Sequence, residues 1–171
     1  MLSTLGCILQ KSDFSLWDNG NKNNLTFLGT WRRDGEIVPA INLSGTICQT
    51  STYLNLLTGE GFTDNTTKPT IACPQLINFS RYSKLLVDLN VVQASGGYLE
   101  YYIFKNKPVV GSLFPNDNVV LKSAEISIDE ATTYNLEFDI SSFNGSGYIA
   151  LRSDYAAVGI DWRITGWRLE K

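Results

Sequence analysis

Hydrophobic and polar residues alternate strictly in two segments near the end of the chain. Residues 134–140 read Tyr-Asn-Leu-Glu-Phe-Asp-Ile, and residues 158–164 read Val-Gly-Ile-Asp-Trp-Arg-Ile. A period of two is typical of a strand with one face in a core and one in water. After the second segment the alternation shifts by one residue, since Trp167 and Leu169 are the next apolar positions. This shift predicts a β-bulge near residues 165–166.

Similar strand-like segments occur along the whole chain, separated by turn residues at intervals of roughly a dozen residues. No window shows a sustained helical period, and the best helix candidate, residues 74–82, would form at most a turn or two. The pattern predicts an all-β fold, either a sandwich or a barrel. The predicted strands are Phe14–Trp17, Leu25–Arg32, Glu36–Asn42, Tyr53–Leu57, Lys68–Ala72, Lys84–Val92, Gly97–Phe104, Asn118–Ile128, Thr133–Ile140, Gly147–Arg152 and Val158–Leu169.

A length of 171 residues favours one domain, which the strand pattern places at residues 14–171. Residues 1–13 precede the first strand and form a predicted N-terminal arm. This arm is apolar enough either to join the protein's own sandwich or to pack on a neighbouring subunit. The residues that would make either contact are Leu2, Leu5, Ile8 and Leu9.

The net charge is −3 and the cationic residues are scattered, so the sequence predicts no basic patch that would bind nucleic acid. No segment approaches the ~20 apolar residues of a membrane span, so membrane insertion is not expected. The N-terminus lacks the basic and apolar regions of a signal peptide, which favours synthesis in a cytoplasm. An odd number of cysteines at wide spacing, Cys7, Cys48 and Cys73, is best interpreted as buried thiols.

Catalytic and metal-binding signatures are weak. The chain has no histidine, the usual proton-transfer residue, and most of its strand carboxylates fall on polar positions that predict solvent exposure. We therefore predict a protein that is not an enzyme and that needs no cofactor. Oxygen ligands near the two chain ends could approach one another, but their spacing matches no calcium-binding loop and no metal is predicted. These residues are Asp18, Asn19, Asn21, Asp161 and Glu170.

The aromatic residues say more about function than the charged residues do, and the chain has 4 Trp, 8 Tyr and 8 Phe. An exposed ring on a sandwich offers a flat apolar platform for the C–H face of a sugar. The segment with Tyr98, Tyr101, Tyr102 and Phe104 places rings on both faces of one strand, so at least one ring should face away from the main core. Trp31 and Trp162 share the parity of apolar neighbours and are predicted core residues. The candidates for glycan contact are Trp17, Tyr101, Tyr102 and Tyr155.

Several short motifs occur in a characteristic order, and together they span about residues 16 to 170. This order resembles the jelly-roll, carbohydrate-binding-module-like domains of tail, baseplate and other virion proteins of phages that infect Gram-positive hosts. The motifs are Leu-Trp-Asp-Asn-Gly at 16–20, Leu-Thr-Phe-Leu-Gly-Thr-Trp at 25–31, Ile-Asn-Phe-Ser-Arg-Tyr-Ser-Lys-Leu-Leu-Val-Asp-Leu at 77–89, Leu-Glu-Phe-Asp-Ile-Ser-Ser-Phe-Asn-Gly at 136–145 and Ile-Thr-Gly-Trp-Arg-Leu-Glu at 164–170.

The resemblance implies a two-sheet antiparallel jelly roll and a non-enzymatic structural accessory protein of a tailed-phage virion. As a short chain with one such domain, it would decorate the capsid or tail in many copies, with other virion proteins as partners. Its carbohydrate-binding-like sandwich would adhere to host-surface polysaccharide. The alternative is a stand-alone, soluble, lectin-like module that binds glycan without an assembly role.

Overall fold

The computed structural model describes residues 14–17, 26–28, 30–33, 36–39, 53–57, 70–73, 75–94, 96–107, 119–154 and 161–171. Nearly all of these residues lie in strands or short turns. The strands, numbered in chain order, are β1 (Phe14–Trp17), β2 (Thr26–Leu28), β3 (Thr30–Arg33), β4 (Glu36–Pro39), β5 (Leu54–Leu57), β6 (Thr70–Ala72), β7 (Ile77–Asn78), β8 (Lys84–Gln93), β9 (Tyr98–Phe104), β10 (Val119–Lys122), β11 (Ile126–Ser127), β12 (Thr133–Asp139), β13 (Ser146–Asp154) and β14 (Asp161–Glu170).

One sheet has five described strands and contains both ends of the described chain. Its order is β1-β14-β8-β12, and β5 also pairs with β14. The long central pair β8 and β14 is antiparallel, with Leu169 opposite Leu85 and Trp162 opposite Val91. Its register shifts between Ile164 and Gly166, which confirms the bulge predicted from the change of parity.

The second sheet has seven described strands in the order β10-β9-β13-β6-β2, and here β11 pairs with β9 and β7 with β13. A single strand predicted over residues 118–128 is two strands, β10 and β11. Ser123 explains the division, because it lies between them and its hydroxyl accepts a hydrogen bond from the backbone N–H of Tyr101 at 3.0 Å. A side chain thus takes the place of a backbone partner at this point of the ladder. The two-stranded hairpin of β3 and β4 completes the described strands.

The core lies between the inward faces of the two large sheets. Trp162 and Trp167 are fully buried there, together with Leu85 of the first sheet and Ile103 of the second. Trp162 is thus confirmed as a core residue, whereas the side chain of Trp31 lies outside the described residues. Burial of alternating apolar residues from both sheets makes the protein an antiparallel β-sandwich, as the sequence predicted.

Within the one predicted helical segment, 74–82, the described residues from 75 onward form a short strand and one turn. The strand is β7, and the turn is a 3-10 helix over Phe79–Arg81. Phe79 is fully buried and packs edge-on against Phe143, with ring centroids 5.6 Å apart. The turn is therefore anchored to the core by one ring while its polar residues stay at the surface.

Candidate functional site

Strand β9 carries bulky side chains on both of its faces. Leu99, Tyr101 and Ile103 belong to the main core, whereas Tyr102 and Phe104 belong to a second cluster with Ala72 and Ala150. Because side chains alternate along a strand, this second cluster lies on the outer face of the seven-stranded sheet. The prediction that a ring of this segment faces away from the main core agrees with that arrangement.

A buried carboxylate lies on this outer face. Glu100 has no solvent exposure, and its Oε2 accepts hydrogen bonds from the Tyr102 hydroxyl at 2.7 Å and from Arg152 Nη2 at 2.8 Å. Its Oε1 accepts a hydrogen bond from Lys122 Nζ at 3.2 Å. Sheet register explains the convergence, since Arg152 of β13 lies opposite Glu100 and Lys122 of β10 lies opposite Tyr102.

These contacts keep Glu100 charged. Burial alone raises the pKa of a carboxyl, but the hydrogen bonds from Tyr102, Arg152 and Lys122 outweigh burial and hold the pKa of Glu100 below its ordinary value of 4.5. The same two cations lie near the ring of Tyr102, with Arg152 Cζ 4.7 Å and Lys122 Nζ 5.8 Å from its centroid. Both distances fall within the range of cation–π attraction.

Around this ion cluster the outer face is aromatic. Tyr102 and Phe104 stack at 6.0 Å with an interplanar angle of 12°, and Tyr148 packs on the same cluster. Alanines at positions 72 and 150 face the rings without crowding them. We call the set Tyr98, Glu100, Tyr102, Phe104, Lys122 and Arg152 the β9 face.

Three side chains of the β9 face reach solvent. Tyr98, at the start of the strand and on the same parity as Glu100, is 41 % exposed. The Lys122 side chain is 53 % exposed, and that of Arg152 is 17 % exposed. The face therefore combines an accessible ring with cationic hydrogen-bond donors whose orientation is fixed by a buried acid, which is the chemistry needed to bind hydroxyl-rich ligands.

The predicted glycan-contact residues have different positions. Tyr101 is 2 % exposed in the main core, where its ring packs edge-on against Phe138, so the expectation of an accessible ring is not met there. Tyr102 is on the outer face but only 5 % exposed beneath its two cations. Trp17 ends β1 with its side chain outside the described residues, and Tyr155 lies outside them altogether. Glycan contact by these residues stays a prediction.

The predicted arm, with Leu2, Leu5, Ile8 and Leu9, also lies outside the described residues. The sequence-based candidates for glycan contact did not include Tyr98, Lys122 or Arg152, which the structure places on the β9 face. The sequence contained a signal for Tyr98, because a glutamate flanked at two-residue spacing by tyrosines marks the outward parity of the strand. It contained none for the two cations, since their approach to Glu100 depends on strand register.

Within the described ranges, no group of three or more acidic or cysteine side chains could hold a metal ion. Of the oxygen ligands weighed for calcium, Asp161 binds Arg163 and Glu170 binds Arg168, and the other three lie outside those ranges.

Cys73 is buried without a disulfide, and burial raises the pKa of its thiol. No helix in the part of the chain that the structure describes has the length and apolarity to cross a membrane.

The sequence matches no family model and no curated protein. Among solved structures, the K3 cleaved adhesin domain of Lys-gingipain from Porphyromonas gingivalis is similar at a TM-score of 0.54 and 10% identity, covering 92% of this chain and 100% of that one. The K1 cleaved adhesin domain of the same protein is similar at a TM-score of 0.52 and 14% identity, covering 92% and 96%.

The CBM22-1 xylan-binding domain of Paenibacillus barcinonensis Xyn10C is similar at a TM-score of 0.46 and 10% identity, covering 92% of this chain and 91% of that one. These three neighbours are carbohydrate-binding-module-like β-sandwich domains, and none of the three is a phage protein. At these identities the likeness to the two adhesin domains shows a common fold. This chain therefore shares the β-sandwich fold of the two adhesin domains.

Proposed function

We propose that this chain is a non-enzymatic glycan-binding protein and that its β9 face contacts polysaccharide. The observation that carries the proposal is the buried Glu100, which holds Arg152 and Lys122 beside aromatic rings on a sheet face outside the main core. A protein that needed only a stable outer surface has no requirement for a fully buried carboxylate there, since burying a charge is costly. A role in orienting hydrogen-bond donors for a ligand would explain why this cost is tolerated.

In the proposed mode of binding, an aromatic side chain and a cationic side chain make different contacts with the sugar. The exposed ring of Tyr98 would stack on the C–H face of one sugar, and Lys122 would donate hydrogen bonds to hydroxyls of another. The names of two similar structures, both adhesin domains, support a role in adhesion. The names of further neighbours, such as the xylan-binding domain, agree with a polysaccharide ligand.

The assembly part of the proposal is that the protein is an accessory component of a tailed-phage virion, located on the capsid or tail in many copies. It rests on the order of sequence motifs between residues 16 and 170. The alternative, a lectin-like module without an assembly role, is favoured by the adhesin and carbohydrate-binding neighbours. Cryo-EM of purified particles separates the two: density for this sandwich at symmetric positions supports assembly, and absence from particles leaves the lectin-like module.

The glycan part is tested on an array of cell-wall and surface polysaccharides. Tyr98→Ala and Lys122→Gln are both expected to weaken binding, each by roughly fivefold to tenfold, as expected for the loss of about 1 kcal/mol from one aromatic or polar contact. Val92→Ala, a change at a 47 % exposed apolar residue of the other sheet, is the matched control. Wild-type protein that binds no polysaccharide at millimolar levels would disprove the adhesive role.

A further inference from the structure

A cleft separate from the β9 face lies beside the 3-10 turn. It is a cleft of about 580 Å³, within the size range of small-molecule sites. None of its described lining residues belongs to the β9 face. The lining consists of Gln75, Leu76, Ile77, Asn78, Arg81 and Tyr82.

The backbone that carries the cleft residues is fixed by hydrogen bonds to neighbouring strands. Ile77 pairs with Gly147 of β13, and the backbone N–H of Phe79 donates a hydrogen bond to the Gly145 carbonyl at 2.8 Å. Phe79 itself is fully buried. Side chains that line the cleft therefore project from a backbone fixed by both sheet pairing and a core anchor, which is the preorganisation that a binding site requires.

Local hydrogen bonds determine which atoms Asn78 presents. Its Oδ1 accepts hydrogen bonds from the backbone N–H of Ser80 at 3.1 Å and from the Ser80 hydroxyl at 2.7 Å. The oxygen is thus assigned by its partners, and the two N–H groups of Nδ2 remain as donors. No described residue accepts from them or from the exposed guanidinium of Arg81.

The charge and shape of the cleft select a class of ligand. Arg81 is the one charged residue among the described lining residues, and no carboxylate is among them. Leu76 is 60 % exposed and Tyr82 is half-buried, so the cleft also has an apolar side. Cationic and amide donors next to apolar surface suit a ligand with an anionic group, hydroxyls and C–H faces.

We propose that this cleft binds a sugar or polyol unit that carries a carboxylate or phosphate group. Arg81 pairs with the anionic group, Asn78 donates to an adjacent oxygen, and Leu76 and Tyr82 contact the carbon skeleton. The site does not depend on the proposed role of the β9 face, because the two share no described residue.

Calorimetric or NMR titration tests the proposal with three probes: galacturonic acid, glycerol phosphate and galactose. The wild-type protein is expected to bind at least one anionic probe about tenfold more tightly than galactose. Preference between the two anionic probes distinguishes a uronic-acid source from a phosphate-bearing source. Binding of galactose as tight as that of both anionic probes, or no binding of either anionic probe at millimolar levels, would overturn the proposal.

Two variants assign the binding to this cleft. Arg81→Gln removes the cation, and Asn78→Asp keeps the Oδ acceptor for Ser80 while replacing the donors by a negative charge. Each variant is expected to bind the anionic probe at least tenfold more weakly than the wild type, without a lower melting temperature. Lys105→Gln removes a charge from an exposed residue that does not line the cleft, and binding should stay unchanged. Wild-type affinity in both cleft variants contradicts the assignment.

Discussion

At the residue level, Glu100 has the most unusual environment in the described part of the chain. It is a carboxylate without solvent exposure on the outer side of a sheet, and it accepts hydrogen bonds from one tyrosine and two cations. A buried charge of this kind is tolerated only when each of its oxygens has partners. The cluster therefore behaves as one unit, and removal of the acid affects its partners as well.

Glu100→Gln is expected to lower the free energy of unfolding by about 2 kcal/mol, because it removes the buried carboxylate that accepts hydrogen bonds from both Arg152 and Lys122. Denaturant unfolding at neutral pH measures this loss. The matched control is Glu137→Gln, which removes the partner of Lys84 in an exposed pair with a 2.7 Å contact. That change should cost clearly less, because both side chains of the pair are exposed to solvent. Equal losses in the two variants would contradict the structural role of Glu100.

The lowered pKa of Glu100 also predicts a pH dependence. Its folded-state pKa lies below the unfolded value, so its contribution to stability is fully present above the unfolded pKa and is lost as the pH falls through the folded pKa. On acidification from about pH 6 to pH 3, the melting temperature of the wild type should fall further than that of Glu100→Gln. Parallel curves for the two proteins would show that Glu100 does not titrate as the structure indicates.

Side-chain positions were predictable only where they follow from periodicity. Alternation placed Trp162 in the core and required rings on both faces of β9, and both are found. The burial of Tyr102 was not predictable, because Lys122 and Arg152 come from strands that are distant in sequence. Their approach is set by the register of three strands, and the register is not encoded in the period of any one of them.

At the level of elements, the close approach of β13 to β9 depends on Gly147. A Cβ atom added there would lie 2.7 Å from Ile103 Cγ2 and 2.8 Å from the backbone oxygen of Phe104. Both distances are shorter than van der Waals contact, and the carbonyl belongs to a paired strand that cannot move without breaking its ladder. Glycine is therefore required for packing at this point.

Gly147→Ala is expected to destabilise the protein by about 2 kcal/mol through overpacking between β13 and β9. Thermal unfolding measures the loss, which should come with reduced hydrogen-exchange protection along β9. Ser146→Ala, at the exposed preceding residue of the same strand, should change stability by less than about 0.5 kcal/mol. A stable Gly147→Ala protein with an unchanged β9 would refute the proposed close approach.

Strand positions were predicted better than strand ends and breaks. The bulge in β14 was predictable because one extra residue changes the parity of a long apolar pattern. The break between β10 and β11 was not, since Ser123 there bonds the Tyr101 backbone with its side chain while the residues around it keep a strand-like composition. Residues 75–82 combine a short strand with a single turn, too little of either for a period to develop.

At the level of the whole molecule, β1, which begins at Phe14, pairs with β14 within one sheet. If the proposed assembly role is correct and the arm is a docking element, deletion of residues 1–13 should leave the β circular dichroism spectrum and the melting temperature unchanged while abolishing incorporation into particles. Loss of folding would instead assign the arm to the sandwich itself. Normal incorporation of a folded, shortened protein would remove the proposed assembly role of the arm.

The central claim is that the outer face of β9 binds glycan while its inner face forms the core. Polysaccharide affinity and melting temperature measured together for Tyr98→Ala and Tyr101→Ala test it most directly. Tyr98→Ala should weaken binding by roughly fivefold to tenfold with a nearly unchanged melting temperature. Tyr101→Ala should lose about 3–5 kcal/mol of stability, as expected for a core ring. A Tyr98→Ala protein that binds polysaccharide as tightly as the wild type would contradict the claim.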